Sequence, residues 1–189
     1  MSEIPPHSGL DEFRAVIADY KSIGPWVLGG TVLVPLVDYV LRIGPPWPNG
    51  IAILTSIAEL LVLICVFHFW STSGYRRVSR RMVISIVLLV VFGGVYLYLS
   101  SSYTFTAGAS SDRFVKGIVP RPEVEPLLTP KFTADDALRS SGYNPQAVWT
   151  TASITAMRLI LLSLWLVSFV FLSTTIASFV IYYRRRHAR

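Results

Sequence analysis

Residues 51 to 70, IAILTSIAELLVLICVFHFW, run through twenty positions with one acidic side chain, Glu59, and no lysine or arginine. A helix of that length rises about 30 Å, the thickness of a bilayer's hydrocarbon core. Three further blocks have the same character, at about Pro25 to Ile43, Met82 to Leu99, and about Leu159 to Tyr183. The first is interrupted by Gly29, Gly30, Pro35 and Asp38, and Pro35 removes a backbone donor and predicts a kink. The apolar residues come in these long blocks rather than at the intervals of a water-soluble core. Only 15% of residues are charged, against roughly 25% in a typical soluble domain. That balance excludes disordered, collagen-like and disulfide-scaffold classes, and the single Cys65 cannot form an internal disulfide. The expected fold is an all-α membrane protein. It has four transmembrane helices, a short N-terminal amphipathic helix, and an extracytoplasmic segment of about 50 residues between helices three and four.

Orientation follows from the arginines, because cytoplasmic loops collect basic residues. One cluster is Arg76, Arg77, Arg80 and Arg81, in the expected second loop, and another is Arg184, Arg185, Arg186 and Arg189, after the last span. The turn between the first two spans, GPPWPNG, has no cation beyond Arg42 at its edge. Four spans put both clusters on one side, so both termini are expected in the cytoplasm of a cell (inner or plasma) membrane protein. Residues 100–150, with five basic and five acidic side chains, fall outside. The net charge of +6 is then a topology signal with a membrane-surface component, and nucleic acid is the less economical partner. The N-terminal stretch carries Glu3, Asp11, Glu12 and Asp19 rather than a basic leader, and reads as preceding an uncleaved first span.

This divides the chain into five parts: 1–24, 25–99 with three spans, 100–150, 151–183 with the fourth span, and a basic tail at 184–189. Within the first, SGLDEFRAVIADYK at 8–21 reads as an amphipathic helix. Leu10, Phe13, Val16, Ile17 and Tyr20 form its apolar stripe, which suits its own bundle, the membrane surface or a cytoplasmic partner. In the outer segment, Ser102 to Ala107 and Arg113 to Val119 read as short strands, and PRPEVEPLLTP as extended chain. Thr133 caps a helix ADDALRSS closed by Gly142, and Asn144-Pro145 opens another, PQAVW, that would run through Trp149 into the fourth span.

An ionisable side chain inside a bilayer costs at least about 2.5 kcal/mol even on lenient scales, which makes Glu59 the leading functional candidate. It lies eight residues into its span, roughly 12 Å deep. Asp38 and Arg158 fall in the same half of the membrane. Three roles are open for Glu59: lining an aqueous conduit, packing as a hydrogen-bonded acid (against Ser56, for instance), or pairing with Arg158. In the fourth span, Leu161, Leu162, Trp165, Phe169, Leu172, Ile176, Phe179 and Val180 share an arc that suits lipid. Ser163, Ser168, Thr174, Thr175 and Ser178 fall mostly opposite, on a face suited to helix packing or a wetted channel, with Ser173 near the boundary. Gly93 and Gly94 would allow close helix approach in the third span.

No HExxH, GxSxG, phosphate-binding glycine loop or Cys/His cluster occurs, and His7, His68 and His187 sit on different elements. No metal or cofactor is expected. The expected function is non-enzymatic: a homo-oligomeric sensor, effector or channel-like protein linking its outer segment to membrane permeability or a cytoplasmic partner. Its organisation, a small four-span protein with cytoplasmic ends and one structured outer segment, is shared by many unrelated bacterial inner-membrane proteins, among them pore-forming effectors of immune operons and accessory subunits of larger complexes, an analogy of architecture alone. The alternatives are an accessory or assembly subunit of a larger membrane complex and, third, an intramembrane enzyme using Glu59.

Overall fold

The computed structural model describes residues 43–48, 50–70, 74–107 and 113–187. The amphipathic helix expected at 8–21, and the first span with Asp38, lie outside them except for Ile43. The described chain is mostly helical, and three of its helices are long and apolar enough to span a membrane. These are α1 (Ile51–Trp70), α2 (Tyr75–Tyr103) and α5 (Thr151–His187). Between α2 and α5 come strands β1 (Thr104–Thr106) and β2 (Arg113–Val115), a 3-10 turn at Glu125–Leu127, and short helices α3 (Ala134–Ser140) and α4 (Pro145–Val148). The strands pair antiparallel, with Phe105 opposite Phe114.

The long helix α5 is central: α1 and α2 both pack along it and scarcely on each other. On α1 the buried residues are Thr55, Glu59, Leu63 and Val66, spaced as one helical stripe. Ile53, Ile57, Leu60, Leu61 and Ile64 are exposed around the rest, which in lipid is ordinary contact and in water would be an aggregating surface. Tyr96, Leu161, Trp165 and Phe169 pack together with Val115 of β2. Farther along, Leu63, Val66, Val78, Ala177 and Ile181 close the other end.

The helix α2 is longer at both ends than its apolar run. Arg76, Arg77, Arg80 and Arg81 lie in its first two turns rather than in a loop. Val78, with no exposed surface, pins that turn into the core. At its far end the helix absorbs the expected strand's first residues, because serine and threonine hydroxyls bond back to helix carbonyls. Ser101 Oγ donates to Tyr98 O at 2.8 Å and Thr104 Oγ1 to Ser100 O at 2.6 Å.

Two local expectations meet their geometry and one is corrected. Thr133 caps α3 in a reciprocal capping box with Asp136, and Gly142, at φ 67°, ends that stretch in the left-handed conformation glycine tolerates. Asn144 Oδ1 accepts from Gln146 N at the start of α4. But α4 does not run into the last span. Trp149 is extended, at φ −112° and ψ 155°, and bridges Pro120. Its neighbours pair sideways: Arg121 N donates to Val148 O at 2.9 Å and Thr150 N to Val119 O at 3.1 Å. Burying the Trp149 ring with Ala137, Leu138, Val148 and Ile154 outweighs helix continuity. The helix then restarts at Thr151, eight residues before the expected Leu159.

Candidate functional site

Among the described residues, two polar contacts join α1 and α5, which run parallel. Two turns of α1 place Thr55 and Glu59 on its buried face, level with Trp165 and Ser173 of α5. Trp165 Nε1 donates to Thr55 Oγ1 at 3.1 Å, and Thr55 Oγ1 donates onward to Ile51 O at 2.9 Å. Ser173 Oγ donates to Glu59 Oε1 at 3.4 Å. Glu59 is 3% exposed, and its other oxygen, Oε2, is buried with no hydrogen-bond partner among the described residues. Among the described residues this carboxyl is half satisfied in an apolar interface, which is costly, so it marks where the described bundle departs from pure packing.

Arg158 is not its partner. Ser173 marks the level of Glu59, and Arg158 lies fifteen residues earlier on the same helix, about 22 Å along the axis. Its Nε is likewise buried without a partner among the described residues. The ion pair found among them is Lys116 with Asp135, at 2.6 Å, on the segment between the long helices. Ser56 does not reach Glu59 either, since its hydroxyl donates to Ala52 O on its own helix.

The serines and threonines of α5 divide into two kinds. Ser168, Thr175 and Ser178 each donate to the carbonyl four residues earlier, at 2.7, 2.7 and 2.6 Å. Satisfying the hydroxyl within the helix lets a small polar side chain sit in an apolar contact with no donor left over. Ser168, Ser173, Thr174 and Ser178 are buried, Thr175 is half-buried, and Ser163 is exposed. Ser173 is the hydroxyl that reaches across to another helix. The arc of large side chains is corrected: Leu161, Trp165, Phe169 and Val180 are buried against the bundle rather than turned to lipid, while Phe179 is 55% exposed. Because α1 and α2 pack on α5 from two sides, large and small side chains alike are buried along it.

Within the described chain nothing lies within 4 Å of a Cβ built at Gly93 or Gly94, so these glycines serve no close approach inside the described fold. Gly117 does. A Cβ there would meet Trp149 Cβ at 2.5 Å and collide with Ser153 Oγ, so only glycine fits where the segment crosses the start of α5. Ser153 Oγ donates to Val119 O at 3.2 Å and completes that joint.

Known protein families, curated proteins and solved structures show no match to this chain. Its site is therefore defined by its own geometry.

Sequence reasoning did not single out Arg113, which ties three elements together. Its guanidinium donates to Gly44 O at 3.1 Å, and to Ser100 Oγ and Thr104 Oγ1 at 3.0 Å each. Beside it Tyr96 Oη donates to Ile43 O at 2.5 Å. A lone arginine in an aromatic strand, RFV, is the signal that pointed to it. The placement of Thr55 and Glu59 on one buried face had a signal too, their four-residue spacing.

Proposed function

We propose that the chain is a non-enzymatic, self-associating multi-span protein of the cell membrane, with both termini cytoplasmic, in which residues 100–150 act as an outer sensing segment. In this proposal the signal passes along α5 to the Glu59–Ser173 contact, where it alters membrane permeability or the stance of the cytoplasmic end. One observation carries it: α5 is a continuous helix whose first turn belongs to the segment's own core, through Ile154 beside Trp149, and whose middle supplies the donor to a buried carboxyl. A push on the segment at Gly117 therefore acts on a rigid rod rather than on a slack loop.

The test is reconstitution. In mild detergent the protein should have a mass of at least two 21.1 kDa chains by light scattering. In liposomes it should conduct ions, with Glu59→Gln leaving that assembly intact and changing the flux or its pH dependence. A monomer without flux would remove this function. A second reading, an accessory subunit of a larger complex, is favoured by Gly93 and Gly94, which lie on α2 near the exposed Val90, Val91 and Val95 and can receive a foreign helix. A stable hetero-complex on gentle extraction would support it instead.

A further inference from the structure

The described acidic residues stand away from one end of the bundle: Glu59 is mid-helix, and Glu123, Glu125, Asp135 and Asp136 belong to the opposite segment. Among the described residues, the remaining end is formed by the start of α2 and the close of α5, held together by Val78 against Ala177 and Ile181. Residues 74–84 and 179–187, which build it, contain seven arginines and no carboxylate. Arg76, Arg77 and Arg80 are exposed, and the Arg81 guanidinium lies 4.8 Å over the ring of Trp70 at the end of α1. Arg184, Arg185 and Arg186 follow on the last turn of α5.

Three features favour a bound anion there. First, like charges from two adjacent helices repel unless something neutralises them. Second, α2 begins with arginines against its own dipole: Gly74 provides no side-chain cap and the first turn holds no acid, so positive helix end and positive side chains add. Third, exposed aromatics border the cluster on the apolar side, with Phe69 68% and Tyr183 55% exposed and Phe179 stacked on Tyr183 at 6.4 Å. Of the aromatic residues here, the amphipathic Tyr183 and Trp70 are of the kind that marks the boundary between hydrocarbon and headgroups. The chain's own residues 1–24 carry four acids and two bases, too few to neutralise this end.

We infer that this arginine end is a binding site for anionic phospholipid headgroups, with Arg76, Arg77 and Arg80 contacting the phosphate and the Arg81–Trp70 pair setting its depth. The inference rests on the long helices spanning a bilayer. Lipids of the adjoining leaflet supply the phosphate at the right height, where a free anion would have to be drawn from water.

The experiment uses the full-length protein in nanodiscs of mixed phosphatidylcholine and phosphatidylglycerol, with each lipid spin-labelled in turn. The motionally restricted fraction should favour phosphatidylglycerol by at least about threefold at low salt, and the preference should fade near 1 M salt, where the screening length is about 3 Å. The Arg76→Gln/Arg77→Gln/Arg80→Gln variant should lose it with helical content unchanged, and Arg80→Gln alone should lose part of it. Arg121→Gln, on the opposite segment, should keep it. Equal retention of the two lipids by the unmodified protein overturns the inference. So does a preference abolished by inorganic phosphate at constant ionic strength, which would mean a free-anion site. Failure of the protein to enter nanodiscs at all would instead remove the spanning architecture beneath both proposals.

Discussion

Trp165 makes contacts of two kinds, and they separate under mutation. Its ring packs against Tyr96 at 5.1 Å and Phe169 at 4.6 Å between centroids, while its indole N–H donates to Thr55. Trp165→Phe keeps most of the packing and should cost about 1 kcal/mol, the net value of one hydrogen bond. Trp165→Ala also empties the centre of the core and should cost about 3–5 kcal/mol. Denaturation in detergent, followed by circular dichroism, checks both, and similar costs would contradict the packing described. Outside the bundle, Asp136 is held below the usual carboxylate range, first by the Thr133 backbone N–H and then by its hydroxyl. Because the folded value is the lowered one, its contribution to α3 is complete above the free value of 3.8 and fades as pH falls through the folded pKa. The Thr133 amide resonance should accordingly titrate with a midpoint below 3.8, and a midpoint at or above it would break the capping-box account.

The elements differ in how far they transmit such effects. Since α5 is continuous, distance along it can be read in residues, and about 22 Å separates Arg158 from the level of Glu59. Two groups so far apart with no shared partner should act independently. The stability costs of Glu59→Gln and Arg158→Gln should thus add in the double variant to within about 0.5 kcal/mol. Substantial rescue in that variant would bring the ion pair back. The short elements behave otherwise. The helices α3 and α4 stay folded through their caps and through Leu138, Val148 and Trp149, which they bury together. In sheet β1–β2, Arg113 of β2 ties Thr104 of β1 to Gly44.

At the scale of the molecule, the charge of the described residues is segregated along the bundle axis, arginines at one end and a balanced segment at the other. This asymmetry is what orients multi-span proteins, and it yields a test that does not depend on function. Cysteines placed at the exposed Glu123 and Gly74, in a Cys65→Ala background, should differ toward an impermeant thiol reagent applied to intact cells. Glu123→Cys should label and Gly74→Cys should not. The opposite pattern would invert the molecule and end the outer-sensor proposal.

Much of the local structure was legible because it depends on neighbours in sequence. The bounds of α1, Ile51–Trp70, coincide with the apolar run itself. The Thr133 box, the Asn144 cap and the Gly142 terminator need only residues a few positions away. Hydropathy could not say which side of α5 faces the bundle, or what Glu59 touches. In lipid the outside is as apolar as the inside, so burial is decided by fit and hydrogen bonding, not by a contrast between oily and polar faces. Trp165 and Ser178 are therefore both buried, on different sides of one helix, although one is large and apolar and the other small and polar. For the same reason the partner of Glu59 is Ser173, brought level by the parallel packing of α1 on α5, a match across 114 positions of chain that no local pattern contains.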